Sequence, residues 1–156
     1  NNSFFYSSAP NANTFNPGDG GNTNSAAGTY IAYCLTEKQG YSKFGSYTGN
    51  GNADGTFIYT GFKPAWIIIK RSSTSGSNWH MHDTKRDQFN IVSADLYADA
   101  SSAEDDSTDR LDIVSNGIKI RNSNGAYNTS GATYIYMAFA ESPFVNSAGA
   151  VPTNAR

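Results

Sequence analysis

The apolar positions of the chain fall in short runs, and within most runs they alternate with polar ones instead of recurring at a helical period. The longest run near the C-terminus, Thr133–Glu141, reads Thr-Tyr-Ile-Tyr-Met-Ala-Phe-Ala-Glu. Its β-branched and aromatic residues, bounded by Gly131 and Pro143, favour a strand over a buried helix. Ile135, Met137 and Phe139 then share one face, and Tyr134, Tyr136, Ala138 and Ala140 the other. Since neither face is charged, the strand is expected to be buried on both. Lys63–Arg71 holds a second run of this kind, Trp66-Ile67-Ile68-Ile69, with Pro64 near the start, where its missing N–H does no harm. Weaker patterns predict strands at Tyr41–Thr48, Thr56–Tyr59 and Asn78–Asp83. The last of these places Trp79, Met81 and Asp83 on one face and Asn78, His80 and His82 on the other, half-exposed face. Phe89–Leu96 reads as a weaker extended segment. Leu111–Val114 and Ile118–Arg121, joined by Ser115-Asn116-Gly117, read as a hairpin with an Asn-Gly turn. No stretch has a helical period. Roughly eight to nine short strands separated by turn residues predict an all-β chain, an antiparallel β-sandwich or jelly roll, with a small closed barrel as the runner-up.

One run occurs twice. Thr29–Glu37, Thr-Tyr-Ile-Ala-Tyr-Cys-Leu-Thr-Glu, begins and ends like Thr133–Glu141, and each follows a small-residue stretch that starts with an asparagine, Asn24 or Asn128. This echo predicts one strand used twice. Residues 38–145 then form a β-sandwich domain. Residues 1–37 are a polar segment plus a strand, the tail of a preceding repeat or a stand-in for one, and residues 146–156 are a C-terminal tail. The rival reading is that two buried strands of a single sheet converge on similar residues. The chain opens on Asn1 and not on Met, which fits a processed or truncated product or a part of something longer.

Composition supports the β reading and narrows the function. The chain is rich in Gly, Asn, Ser, Thr and Tyr and poor in Leu, Glu and Lys. A net charge of −2 and scattered Lys70, Arg71, Lys85 and Arg86 give no basic face for nucleic acid or an anionic membrane. No apolar run approaches the ~18–20 residues of a membrane span, and no membrane insertion is expected. With one cysteine no internal disulfide can form, and Cys34, inside an apolar run, is expected to be an inert core residue.

Three groups of residues carry candidate chemistry. The acids Glu104, Asp105, Asp106 and Asp109 lie in a stretch almost without apolar side chains. A retaining glycosidase sets two carboxylates ~5–5.5 Å apart on one strand face, which needs apolar residues between them. Asp105, Ser107 and Thr108 stand there instead. The stretch reads as a solvated loop, with calcium the cation that its hard oxygens would suit; otherwise no cofactor is expected. His80 and His82 offer two imidazoles on one face, too few to fill a transition-metal shell within one chain. For a ligand, Trp79, His82, Asp83, Lys85, Arg86, Tyr127 and Asn128 combine aromatic faces with planar polar groups, the set that sugar recognition uses. The competing reading makes Trp79 core and Asp83–Arg86 an internal ion pair or turn. No Gly-x-Ser-x-Gly elbow or phosphate-cradling Gly-x-x-x-x-Gly-Lys is present.

Taken together, Gly40-Tyr41-Ser42-Lys43-Phe44-Gly45-Ser46-Tyr47, Tyr59-Thr60-Gly61-Phe62-Lys63-Pro64-Ala65-Trp66, Trp79, Asp83-Thr84-Lys85-Arg86, Ser115-Asn116-Gly117 and Thr133–Glu141 resemble a concanavalin A-like (lectin/glucanase-type) domain found in tailed-bacteriophage virion proteins. The resemblance covers about Gly28–Arg156 and carries over no catalytic residue. It implies a non-enzymatic virion-surface module of a tail fibre or other appendage, extracellular, structural, and a binder of host-surface glycans. Its expected partners are further copies of itself, other virion proteins and bacterial surface polysaccharide. The alternatives are a glycan-active enzyme (glycosidase or lyase) on the same fold and a purely architectural assembly module.

Overall fold

A computed structural model describes residues 11–18 and 21–142. It divides the chain into two compact units, Asn1–Leu35 and Thr36–Arg156. The described part of the first is non-strand chain with one helical turn, α1 (Gly21–Asn24). The described residues of the second hold eight strands: β1 (Ser42–Thr48), β2 (Phe57–Tyr59), β3 (Pro64–Arg71), β4 (Trp79–Asp83), β5 (Leu96–Tyr97), β6 (Leu111–Val114), β7 (Gly117–Ile120) and β8 (Thr133–Ala140).

The strands form two antiparallel sheets, one of five strands in the order β1-β8-β3-β4-β5 and one of three in the order β2-β7-β6. Side chains from both sheets meet in one core: Tyr47, Ile67, Ile69, Tyr134, Tyr136 and Ala138 from the larger, Ile58, Leu111, Ile113, Ile118 and Ile120 from the smaller. The fold is an antiparallel β-sandwich, as the alternating pattern predicts. Each fully buried isoleucine contributes about 2 kcal/mol of transfer free energy, so the Ile-rich faces of β3, β6 and β7 dominate its stability.

Several expectations need correction. The run at β8 is buried on one face only: Tyr134, Tyr136 and Ala138 line the core, while Met137 and Phe139 are half-buried and Ile135 is exposed. The outward face of the larger sheet stays apolar because its side chains cover one another. Ile68 lies between Met137 and Met81 in register, and Phe139 meets Phe44 and Trp66 with ring centroids 5.9 and 5.8 Å apart. The second correction concerns Thr29–Glu37, which is not a strand; its residues are exposed, Cys34 among them, so the cysteine is not a core residue. The weak segment Phe89–Leu96 yields only isolated bridges, Val92 with Leu111 and Asp95 with Asp105, before the two-residue β5. The expected Asn-Gly turn is a Ser115-Asn116 turn, since Gly117 already pairs with Val114. No described non-glycine residue has a positive φ, and Gly117 is not among the positive-φ glycines. Glycine is needed there for another reason: a Cβ on Gly117 would lie 2.2 Å from the Ile58 carbonyl of β2. The expected tail, 146–156, lies outside the described residues.

Candidate functional site

His80 and His82 alternate along β4 and stand opposite Ile69 and Ile67 of β3, both core residues. Both imidazoles therefore point into the sandwich and are buried, while Trp79, Met81 and Asp83 take the outward face. The half-exposed face expected for the histidines is in fact the inner one. What makes it habitable is a set of buried partners, because an unpaired polar group there would cost about 1–3 kcal/mol.

The hub is Asp95, 1% exposed. Its Oδ2 accepts a hydrogen bond from the Tyr127 hydroxyl at 2.6 Å and lies 2.9 Å from His80 Nδ1. His82 Nδ1 sits 2.9 Å from the Ala94 carbonyl, which can only accept, so that nitrogen carries the proton and Nε2 is left as the acceptor. Nε2 lies 2.9 Å from the same Tyr127 hydroxyl. The phenol proton goes to the carboxylate, and His82 Nε2 and, at 3.0 Å, His80 Nδ1 crowd the same hydroxyl. Tyr47 donates to the Tyr127 carbonyl at 2.7 Å, tying the network to β1. Arg110, also buried, lays its guanidinium 5.8 Å from the Tyr127 ring centroid and bonds Asp105 at 2.6 Å. Among the described residues, Asp95 Oδ1 and Arg110 Nε have no hydrogen-bond partner. Burial drives the His82 pKa down to about 4, with Asp95 opposing. Burial, reinforced by the Asp95 charge, holds the Tyr127 hydroxyl well above its ordinary value. The network has the parts of a proton relay but is enclosed, and its chemistry is that of a polar core.

The residues predicted to contact a ligand do not converge on one surface. His82, Tyr127 and Asn128 are fully buried, the last two because the loop after β7 folds over the core. Asn128 Oδ1 accepts from the Asn50 amide, and its Nδ2 reaches Asn50 Oδ1, Asn52 O and Asn122 O at 2.7–3.0 Å. It is a clamp between the loop before β2 and the loop before β8. Asp83, Lys85 and Arg86 form a closed turn. Asp83 accepts from the Lys85 and Arg86 amides and from Arg86 Nε, and Arg86 also bonds Glu104 at 2.5 Å and the Met81 carbonyl. Burial works against the Asp83 charge, but the Arg86 and Lys85 bonds hold its carboxyl below the usual range. This is the internal ion pair and turn, not an open binding face, and Trp79 is half-buried with the Lys70 ammonium 5.8 Å from its ring centroid.

The acid loop is likewise divided. Glu104 belongs to Arg86 and Asp105 to Arg110, and Asp105 further accepts from the Ser107 amide and hydroxyl, which lowers its pKa. Asp106 and Asp109 are exposed. Among the described residues no three His, Cys, Asp or Glu side chains are placed to hold a metal ion.

A cleft of the sandwich is lined by none of the network's residues. It has a volume of about 510 Å³ and runs between the chain entering β1 and the end of β2, the edge strands of the two sheets. Tyr59, 64% exposed, and Gly61 form one wall; Glu37, Lys38, Gln39 and Lys43 form the other, over a floor that includes Ser42 and Thr60. Glu37 is held by Lys43 Nζ and the Phe44 amide, both at 3.0 Å, and these bonds lower its pKa. The cleft departs from the chemistry-bearing residues of the sequence; it offers room beside the exposed Tyr59 ring. Sequence reasoning missed it: Gly40, Ser42, Lys43 and Tyr59–Phe62 stood out only as motif residues, and nothing in the sequence shows that the two segments face one another. Asp95 and Arg110 were missed as well. The one signal for Asp95 was an acid set between Ala94 and Leu96 in an apolar run.

A family model described as a domain of unknown function, DUF7483, matches residues 1–143. The chain belongs to the DUF7483 family. The match takes in Asn1–Ala27 as well as the sandwich. No curated protein and no solved structure matches the chain.

Proposed function

We propose that this DUF7483 chain is a non-enzymatic, structural module of a virion appendage such as a tail fibre, outside the cell, and that it binds host-surface glycans. The resemblance read from the sequence supports the setting. The observation that carries the binding role is the cleft: an exposed tyrosine face opposite a polar rim, Glu37, Gln39 and Lys43, in which Glu37 and Lys43 hold each other in place. A pyranose ring presents C–H groups on one side and hydroxyls around its edge, and this wall-and-rim arrangement meets both. The cleft's lining holds one carboxylate, Glu37, already bonded to Lys43, where a retaining glycosidase would use a facing pair.

Screening the chain against bacterial surface polysaccharides tests this. The expected result is retention of at least one, weakened about tenfold by Tyr59→Ala, the loss of an aromatic contact, with the melting temperature unchanged. Retention that Tyr59→Ala leaves intact would move the site elsewhere and overturn the cleft reading. A blank screen would leave the architectural role alone, and release of reducing sugar would replace binding by hydrolysis.

A further inference from the structure

The two copies of Thr-Tyr-Ile share more than letters. Ahead of β8 the chain makes a turn in which the Ala132 amide donates to the Thr129 carbonyl at 3.1 Å, and the Thr129 amide donates to the Tyr134 hydroxyl at 2.8 Å. In the N-terminal unit the Gly28 amide donates to the Ser25 carbonyl at 2.9 Å, and the Ser25 amide donates to the Tyr30 hydroxyl at 2.9 Å. These are the same bonds at matching positions. Just before them a helical turn also recurs: α1 at Gly21–Asn24, and the turn closed by the Tyr127 and Asn128 amides on the Asn124 carbonyl. Local geometry is therefore reproduced up to the strand itself. There the copies part. β8 is paired on both sides, by β1 and β3. Thr29–Glu37 is not in a strand, and Ile31, Tyr33 and Leu35 are 78%, 85% and 57% exposed.

Matched to β8, Ala32 and Cys34 fall at the inward positions of Tyr136 and Ala138, and Leu35 at the outward position of Phe139. Small residues would face a core and larger ones the outer sheet surface. Apolar side chains left in water at this density mark an interface whose other half is missing, and an unpaired strand is completed by pairing. We infer that Thr29–Glu37 is the last strand of a second sandwich of this same fold, preceding this one in a tandem array, where it lies between strands equivalent to β1 and β3. Each module then hands the chain to the next directly at the end of a central strand. This inference is tested apart from the glycan reading, the two sharing only Glu37, the last residue of the segment and a lining residue of the cleft.

The lone cysteine reports on it. A tandem protein, residues 38–124 joined to residues 21–156, gives the echo its two flanking strands and leaves the described sandwich whole. Cys34 should react with a thiol reagent at once in the single chain. In the tandem it should slow about a hundredfold or more, because reaction then requires local opening of a central strand. Cys34 reacting equally fast in both proteins would overturn the inference. A second variant guards against a preceding copy that fails to fold. In a Cys34→Ser background, residues 133–141 are replaced by Thr-Tyr-Ile-Ala-Tyr-Cys-Leu-Thr-Glu. Cooperative melting with a protected thiol is expected, and loss of the folded sandwich overturns the equivalence of the two strands.

Discussion

His82 keeps its Nδ1 proton on the Ala94 carbonyl and its Nε2 against Tyr127, in a place where a charged ring would have no water around it. Burial lowers its pKa from 6.5 to about 4. The unfolded chain therefore binds the proton more readily, and stability depends on pH. His82's contribution is fully present above about pH 6.5 and is lost as the pH falls toward 4. It amounts to about 3 kcal/mol over that window. Asp83, Asp87 and Asp105, whose folded pKa values lie below 3.8, add their own loss only at lower pH. Urea midpoints measured between pH 7.5 and 4.5 should fall steadily, and His82→Gln should flatten the slope while lowering the midpoint at pH 7.5. A midpoint independent of pH across this range would contradict the burial of a neutral imidazole. The same residue shows why the polar core was illegible in the sequence. His80 and His82 read as solvent-facing because nothing nearby in the chain could satisfy them. Their partners Asp95 and Tyr127 come from segments that the pattern marked as weak or loop-like.

β7 owes its place to a glycine chosen for closeness, not for turning. Gly117 pairs with Tyr59 and Val114 and lets the β2 backbone approach, with the Phe57 ring also close to where a Cβ would stand. Gly117→Ala forces a Cβ onto the Ile58 carbonyl, so β2 must move off β7 or the hairpin must tilt. Gly76→Ala is the matched control: its φ is +78°, but nothing lies within 4 Å of the added carbon, and only left-handed strain of about 1–2 kcal/mol applies. Gly117→Ala should therefore lower the melting temperature more than Gly76→Ala, and hydrogen exchange should place the excess in β2. Equal losses would show that the approach of β2 is adjustable. Strands were the most legible level of the sequence: β1, β3, β4, β6 and β8 fall where alternation and flanking turn residues put them. The hairpin was found, but its turn residue was misjudged, because Asn-Gly marks a turn only when the glycine stands inside it. The failure at Thr29–Glu37 has the same root as the success at β8. A strand pattern specifies what a segment can pair with, not whether it pairs.

Among the described residues the core is drawn from Tyr47 to Ala140, and each strand of both sheets begins at or after Ser42. The described residues of the first unit supply none of that core. In the second, the largest buried side chains, Tyr127, Tyr134, Ile67, Ile69, Leu111, Ile118 and Ile120, already come from both sheets and from the loop that closes them. Burial of this kind drives cooperative unfolding, so a chain starting at Thr36 should fold by itself. Starting there keeps the Thr36 carbonyl that accepts from Ser42 Oγ, and Glu37, which caps the Phe44 amide and Lys43 at the head of β1. The expected outcome of deleting residues 1–35 is a β-type circular dichroism spectrum, a single melting transition within a few degrees of the full chain, and better solubility, since Ile31, Tyr33 and Leu35 leave with the deleted segment. Starting instead at Ser42 should lower the melting temperature, because Phe44 loses its acceptor and one wall of the cleft disappears. If deletion of residues 1–35 abolished the cooperative transition, the first unit would be a needed part of this sandwich, and its resemblance to the strand before the tail would have to be explained within one domain.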